Sequence, residues 1–374
     1  MNVDISVIIV NFNTVELLSS CIDSILKSTH QLNVQIIIVD NASTDGSCEM
    51  IETRFPFVNL IRNTRNNGFS MANNQGLQLA NGDYVFLLNP DTEIQPNTLG
   101  TLYDFLKVNS DTGAVGPRTF LDRHKTLEVC SLKIPSLRRM LAVFTSIPFP
   151  WIEKELRKCW EIDFKLWEAE NACEVEGIGG AAFFTDRKSL LDIGGLDERF
   201  FMGYEDSDLA AVFKKQSKKI KILPKTFIVH YFGQSKQHPE APKQEIYNWD
   251  ATPVKFLRKH SGIWSVVLLK SAKIFEKVFF KSHVSHSPYP PEILKSAGDH
   301  KIVWDGSPEI RYLFELSNTP LFFDKFAGTC TKPEFFLPES LLNRLAKGKW
   351  YWRVYRWPAS QTSTTEANGS FVLF

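Results

Sequence analysis

The sequence predicts an α/β protein, a parallel sheet covered by helices on both faces, followed by a small all-β sandwich. Three observations predict it. Near-continuous apolar runs at Ile5 to Val10, Ile36 to Val39 and Tyr84 to Leu88 have the length and composition of strands buried on both faces. Amphipathic helical patterns alternate with them, which gives successive βαβ units with right-handed crossovers. Beyond residue 291 the pattern changes to short strand-like runs divided by Gly, Pro, Asn and Ser.

Each apolar run closes on a polar cluster. The first ends at Asn11, the second at Asp40-Asn41-Ala42-Ser43 and the third at Asn89-Pro90-Asp91. Sheets of this kind bind ligands at the carboxyl ends of their strands. Packing does not demand Asp or Asn at all three ends, so the repetition points to one polar crevice that handles a charged ligand.

Between the runs, Thr14 is placed to cap a helix whose Leu17, Leu18, Cys21, Ile22, Ile25 and Leu26 share one face. Helices are expected at Ser47 to Phe55 and Ser70 to Ala80, with a strand near Val58 to Arg62. Leu137 to Trp167 reads as an irregular or helical insertion, either near a substrate or a surface excursion without a role. Gly177 to Phe184 reads as a glycine-opened strand, Asp206 to Lys215 as a helix, and Lys219 to Leu223 and Phe227 to Val229 as two short strands. Ile263 to Phe280, interrupted by Lys270, Lys273 and Lys277, is an amphipathic helix. The proline-rich His283 to Pro291 has linker composition. Three parts follow: 1–262, a helix and linker at 263–291, and a β-sandwich at 292–374.

Charge and cysteine usage narrow the function. In 374 residues, 43 basic and 42 acidic side chains leave a formal charge of +1, which argues against a general nucleic-acid binder. The six cysteines show no Cys-x-x-Cys spacing, so neither a zinc site nor a disulfide framework is indicated and a reducing compartment fits. The first apolar run is too short for a signal peptide or a membrane span, and a cytoplasmic location is the expectation.

The polar clusters admit two readings each. Asp40 can accept hydrogen bonds from a ribose or base edge, or hold a helix-capping Asp-x-Ser turn. Asp91 can bridge to a divalent cation, with Asn89 offering only a neutral carbonyl; Asn-Pro-Asp is also a common strand-terminating turn. Glu205, Asp206 and Asp208 suit the positive end of a helix dipole, yet one of them can serve as a general base. Gly177, Gly179 and Gly180 do not make a phosphate loop; they either admit a ligand close to the backbone or allow tight packing. The Lys214-Lys215 and Lys218-Lys219 cluster is a solvated helix end or, with the 263–280 helix, a contact for anionic lipid.

Taken in order, these pieces resemble the inverting family 2 glycosyltransferases, especially their rhamnosyltransferase-like branch. The resemblance runs from Asp4 to Gln237 through Val7 to Asn13, Val39 to Ser47, Asn66-Asn67-Gly68-Phe69, Asn73 to Gly76, Leu87 to Asp91, Gly194 to Asp197, Phe201 to Leu209 and His230 to Ser235. It implies a glycosyltransferase-A-type, Rossmann-like mixed sheet flanked by helices in 1–262. It also implies donor contacts from Asn11, Asp40, Asn41, Asn67, Gly68, Asn89 and Asp91, and a Mn²⁺ or Mg²⁺ ion held by Asp91 and His230. Asp206 is implied as the base, with Glu205 beside it in the catalytic pair and touching the acceptor together with Gly179 and Gly180. The first aspartate of the family's Asp-x-Asp metal motif is replaced here by Asn89.

The implied reaction moves a sugar, rhamnose from dTDP-rhamnose first and UDP-sugars next, to a hydroxyl of a cell-surface or lipid-linked glycan. The implied partners are that nucleotide-diphosphate sugar and that acceptor, with peripheral contact to the inner membrane face and no nucleic acid. A sugar-nucleotide nucleotidyltransferase would need a glycine-rich basic loop, and Asn11-Phe12-Asn13-Thr14 is not one. A glycan-binding scaffold with a decayed donor site is the other alternative, suggested by Asn89 and the aromatic run from Trp350 to Trp357. The C-terminal part resembles a fibronectin type III-like sandwich, with Trp304 as an early core tryptophan and Leu345 to Tyr351 as the turn into a tyrosine corner.

Overall fold

A computed structural model of the chain describes residues 2–29, 31–144, 151–231, 251–279, 292–294, 300–317, 325–342, 345, 348–357, 365 and 367–373. The chain begins with β1 (Ile5–Asn11), α1 (Val15–Ser28), β2 (Val34–Asp40), α2 (Ser47–Arg54), β3 (Asn59–Arg62), α3 (Phe69–Leu79) and β4 (Tyr84–Leu88). Next come β5 (Thr92–Ile94), α4 (Thr98–Val108), β6 (Thr112–Phe120), β7 (Glu128–Val129), α5 (Leu137–Phe144) and α6 (Ile152–Glu168). They are followed by β8 (Cys173–Val175), β9 (Ala182–Asp186), α7 (Arg187–Asp192), α8 (Glu205–Lys215), β10 (Lys219–His230), α9 (Thr252–Ser261) and α10 (Ile263–Phe279). The last are β11 (Glu292–Leu294), β12 (His300–Val303), β13 (Arg311–Ser317), β14 (Phe326–Cys330), β15 (Glu334–Leu337), α11 (Glu339–Leu342), β16 (Gly348–Trp357) and β17 (Ala367–Leu373).

Two compact units form. The first comprises Met1–Arg118, Ser131–Pro135 and Ala169–His260. Its sheet runs β6-β9-β4-β1-β2-β3, with β1 parallel to β2 and β4, β2 parallel to β3, and β9 antiparallel to β4 and β6. The sheet is therefore mixed, with a parallel core. Every residue of β1 is buried, as two helix-covered faces require. Leu18, Cys21, Ile22 and Ile25 of α1 join Ile5, Val7, Ile9, Ile36 and Ile38 in one core, which is what the three-four spacing of α1 predicts.

Three expectations are corrected here. Thr14 does not cap α1 through its side chain, because its hydroxyl donates to the buried Asn11 Oδ1 (2.6 Å); the free Val15 amide donates instead to Asp45 Oδ2 (2.8 Å). The two strands read near 219–229 are one strand, β10. Its residues 220–222 pair with β8 and 228–230 with β5, and the strand also pairs with β6. Residues 177–181 are a loop joined to Leu132 by a single bridge at Gly177, and the strand begins only at Ala182.

The second unit comprises Thr119–Cys130, Ser136–Glu168 and Ser261–Phe374. Its larger sheet runs β11-β17-β16-β13-β14-β7, and β12 pairs with β15 as a second layer. Phe314 stacks on Phe335 between the layers at 4.1 Å, within a core that includes Trp304, Trp350 and Val354. A linear division near residue 291 misses that β7 pairs with β14 and that α6 belongs to this unit. Phe164 and Trp167 of α6 cover Tyr355, so the aromatic strand has protein against both faces: Trp350 and Trp352 on the sandwich core, Tyr355 under α6. The hydroxyl that bonds back in tyrosine-corner fashion belongs to Tyr312, donating to Ser307 O (2.9 Å) five residues upstream, and not to Tyr351. The stretch 283–291 and the motif residues Gly233, Gln234 and Ser235 lie outside the described residues, as does most of 358–366. No helix among the described residues is long and apolar enough to cross a membrane.

Candidate active site

The parallel register sets the site. Asn11 lies opposite Asp40, and Ile9 opposite Leu88, so the ends of β1, β2 and β4 are level and Asn89 follows on the same edge. Asn11 Nδ2 donates to Asp40 Oδ2 (2.8 Å) and Ser43 Oγ (3.0 Å), while the Ser43 amide donates to Asp40 Oδ1 (2.8 Å). Asp40 thus holds the Asp-x-Ser turn that its sequence also allowed. Asn41 Nδ2 reaches Gly68 O (3.2 Å), and Asn63 Nδ2 donates to Asn41 Oδ1 (2.9 Å), tying the end of β2 to the loop before α3.

Gly68 has a backbone that only glycine adopts without strain, with φ +81°, and an added Cβ would meet the Phe201 ring at 2.6 Å and its carbonyl at 2.7 Å. The Phe69 amide donates to that carbonyl (2.6 Å). Gly68 therefore seats the loop against the segment that leads into α8. Asn67 is half-buried and accepts from Arg65 Nε (3.2 Å).

At the end of β4, Asp91 Oδ1 lies 3.1 Å from His230 Nε2, both residues buried, and Asn89 Nδ2 lies 3.5 Å from the same ring nitrogen. Pairing of β5 with β10, Thr92 opposite His230, brings the two together across some 140 residues of chain. Asn89 Oδ1 is buried without a hydrogen-bond partner. An orphaned amide oxygen beside a carboxylate and an imidazole is an incomplete set of hard and borderline donors, and it fits a divalent cation or a ligand carried by one. Among the described residues no cluster of three or more His, Cys, Asp or Glu forms.

Two residues, Gly180 and Ala181, connect this group to the acidic end of α8. The Asn89 amide donates to Ala181 O (3.0 Å), and the Gly180 amide donates to Asp206 Oδ2 (3.1 Å). Asp206 Oδ1 accepts from the Ser207 amide (2.6 Å). A Cβ on Gly180 would lie 3.5 Å from Glu205 Oε1, so Gly180 and Glu205 are neighbours. Gly179 has open space where a side chain would be.

Burial, reinforced by the charge of Asp206, pushes the Glu205 carboxyl up from its ordinary 4.5 to about 8, and its Oε2 has no partner. Burial also raises Asp206, but the two backbone N–H donors oppose the rise. Of the pair, Glu205 keeps its proton and Asp206 is the one equipped to ionise. A carboxyl raised on folding stabilises most below its ordinary value and loses that contribution as pH climbs through the folded one. Glu205→Gln, which stays neutral, is therefore expected to flatten the decline of stability between about pH 4.5 and 8; parallel curves from denaturant titrations across that range would remove the buried proton from Glu205.

Asp208 is engaged on both of its oxygens, by Lys259 Nζ (2.7 Å) and His260 Nε2 (2.6 Å) from α9, and Lys259 also binds Asp197 Oδ2 (2.7 Å). Arg199 and then Lys259 hold the Asp197 carboxyl well below its usual range. This brace was not read from the sequence, where its signal was the basic end of α9, Arg258-Lys259-His260. Of the lysine cluster, Lys218 is tied to Ser110 O and Lys219 to Asp111, so half of it serves to fasten β10 to the start of β6.

A mixed sheet flanked by helices, with amide and carboxylate side chains level at the ends of its parallel strands, defines a glycosyltransferase-A-type fold. The fold resembles the crystal structure of GalNAc-T7 with UDP, GalNAc and Mn²⁺ at a TM-score of 0.51 and 16% identity, over 74% of this chain and 54% of that one. The sequence model for glycosyl transferase family 2 matches residues 6–151. The chain is 27% identical over 249 residues to N-acetylglucosaminyl-diphospho-decaprenol L-rhamnosyltransferase of Mycobacterium tuberculosis (strain CDC 1551 / Oshkosh), spanning 63% of this chain and 78% of that protein. It is 34% identical over 102 residues to glycosyltransferase GlyG of Streptococcus pneumoniae, spanning 26% of this chain and 34% of GlyG.

Proposed function

We propose that the chain is a family 2 glycosyltransferase that inverts the anomeric centre of a nucleotide-diphosphate sugar, with rhamnose from dTDP-rhamnose the first candidate and a UDP-sugar the second. The observation that carries the reading is the two-residue link, Gly180 to Ala181, between the Asn89–Asp91–His230 group and the Glu205–Asp206 pair. It supports a reading in which a group for a charged leaving group and a base serve one site.

In this reading Asn11, Asp40, Asn41, Asn67 and Gly68 line the nucleotide side. Asp206 takes the proton from an acceptor hydroxyl as its oxygen attacks the anomeric carbon, and the bond from that carbon to the diphosphate breaks. Glu205, protonated, donates a hydrogen bond to acceptor or sugar, with Gly179 and Gly180 leaving room beside it. Asp91, His230 and Asn89 Oδ1 would hold Mn²⁺ or Mg²⁺, which when bound offsets negative charge on the diphosphate. The rhamnosyl donor and a glycan or lipid-linked glycan acceptor are supported by the name of the mycobacterial relative. Such an acceptor would be met in the cytoplasm, at the inner face of the membrane.

A thermal-shift series of nucleotide sugars with and without Mn²⁺ tests this. dTDP-rhamnose is expected to raise Tm most, and more with Mn²⁺ than without, since a ligand that binds only the folded state stabilises by mass action. No shift with any nucleotide sugar would leave a scaffold with a decayed site. A shift only with a nucleoside triphosphate would favour a nucleotidyltransferase.

A further inference from the structure

Helix α10 of the second unit is packed on one side and bare on the other. Ser265, Val266 and Leu269 are buried, and the helix lies against α5. On the opposite side Trp264 is 76% exposed, Ile274 63%, Leu268 56% and Ile263 52%, with Val267 and Phe275 exposed beside them. At about 100° per residue these six fall within one arc of roughly 140°, an apolar stripe with exposed Ser271 inside it. Soluble surfaces leave large apolar side chains singly and not in such rows.

Charge identifies what the stripe meets. From Ala251 to Phe275 there is no Asp or Glu, Glu276 follows at a position that helical spacing sets on the packed side, and exposed Lys270 borders the stripe. Two copies pairing through this face would carry both Lys270 charges into one border, like charge beside like charge. Anionic headgroups neutralise them well. The 17-residue helix is about 25 Å long and lysine-flanked, a length and composition for lying in an interface and not crossing it.

We propose that α10 is a membrane-docking element that seats its Trp264 stripe at the acyl boundary of a bilayer rich in anionic phospholipid, with Lys270 at the phosphates. The inference goes beyond the proposed reaction and stands on its own observations; it holds or fails whichever sugar is transferred.

Co-sedimentation of the full chain with vesicles tests it, using phosphatidylcholine alone and phosphatidylcholine with an equal part of phosphatidylglycerol. The chain is expected to pellet with the mixed vesicles and much less with the neutral ones. The triple variant Trp264→Ser, Leu268→Ser, Ile274→Ser changes only exposed positions and is expected to reduce the bound fraction at least roughly tenfold, with an unchanged melting curve. Lys270→Glu is expected to weaken binding to the mixed vesicles alone. A chain that stays in the supernatant with both compositions, or a triple variant that pellets like the parent, overturns the proposal. So does a dimer in sedimentation velocity that the triple variant dissolves, since the occupant is then a second copy. Nucleotide-sugar thermal shifts on the same variants keep this result separate from that of the donor site.

Discussion

Asp206→Asn is expected to lower turnover by roughly two to four orders of magnitude, the usual contribution of a positioned general base, while nucleotide-sugar binding persists. The geometry sharpens what accompanies that loss. Asp206 accepts from two backbone amides, Gly180 N through Oδ2 and Ser207 N through Oδ1. An asparagine oxygen can keep one of these, but its NH₂ would then face the other donor. A destabilisation of about 1 kcal/mol is therefore expected, in addition to the kinetic effect. A melting curve separates the two, because so small a change leaves the enzyme folded at assay temperature.

The same site predicts the direction of the pH profile. Burial raises the Asp206 carboxyl, so on acidification its ionised fraction, and the rate with it, is expected to fall at a higher pH than an ordinary aspartate would give. Asp208 is already engaged by Lys259 and His260 and cannot inherit the role without breaking that brace. Steady-state rates within a few fold of the parent would therefore transfer the base to Glu205.

The parts of this site that were legible in the sequence are those fixed by local periodicity. Apolar runs ending in Asn11, Asp40 and Asn89 read as parallel strands, and parallel register alone brings their ends level. Glu205 and Asp206 were legible because a helix start places both at its first turn. The brace of Asp208 by Lys259 and His260 was not, since it joins residues some fifty positions apart through a tertiary contact with no local pattern. The second unit shows the same limit. Phe164 and Trp167 carry helical spacing that says they are apolar on one side, but not that the side they seek is a tyrosine on β16 nearly two hundred residues later. The reading of Gly177 to Phe184 as strand failed for a related reason. Its glycines are spent on a loop that hands a backbone N–H to Asp206, a demand set by the site and invisible to periodicity.

Asp91→Ala is expected to abolish the metal-dependent part of donor binding. Among the described residues Asp91 supplies the only carboxylate paired with His230, and an amide and an imidazole alone hold a hard divalent cation poorly. Affinity for the nucleotide sugar in Mn²⁺ should drop on the order of a hundredfold, about 2.7 kcal/mol, to the value of the parent chain in chelator. The buried imidazole of His230 loses its neighbour in this variant, so Asp91→Asn, which keeps the volume and an oxygen, serves as the fold control. Asn89→Asp makes the opposite change. It restores a second carboxylate where Oδ1 of Asn89 now lies buried without a partner, and it is expected to tighten Mn²⁺ binding. Calorimetry on the three variants decides. Unchanged nucleotide-sugar affinity in Asp91→Ala with Mn²⁺ would take Asp91 out of the metal site, whereas a loss there together with a gain in Asn89→Asp would assign both side chains to one cation.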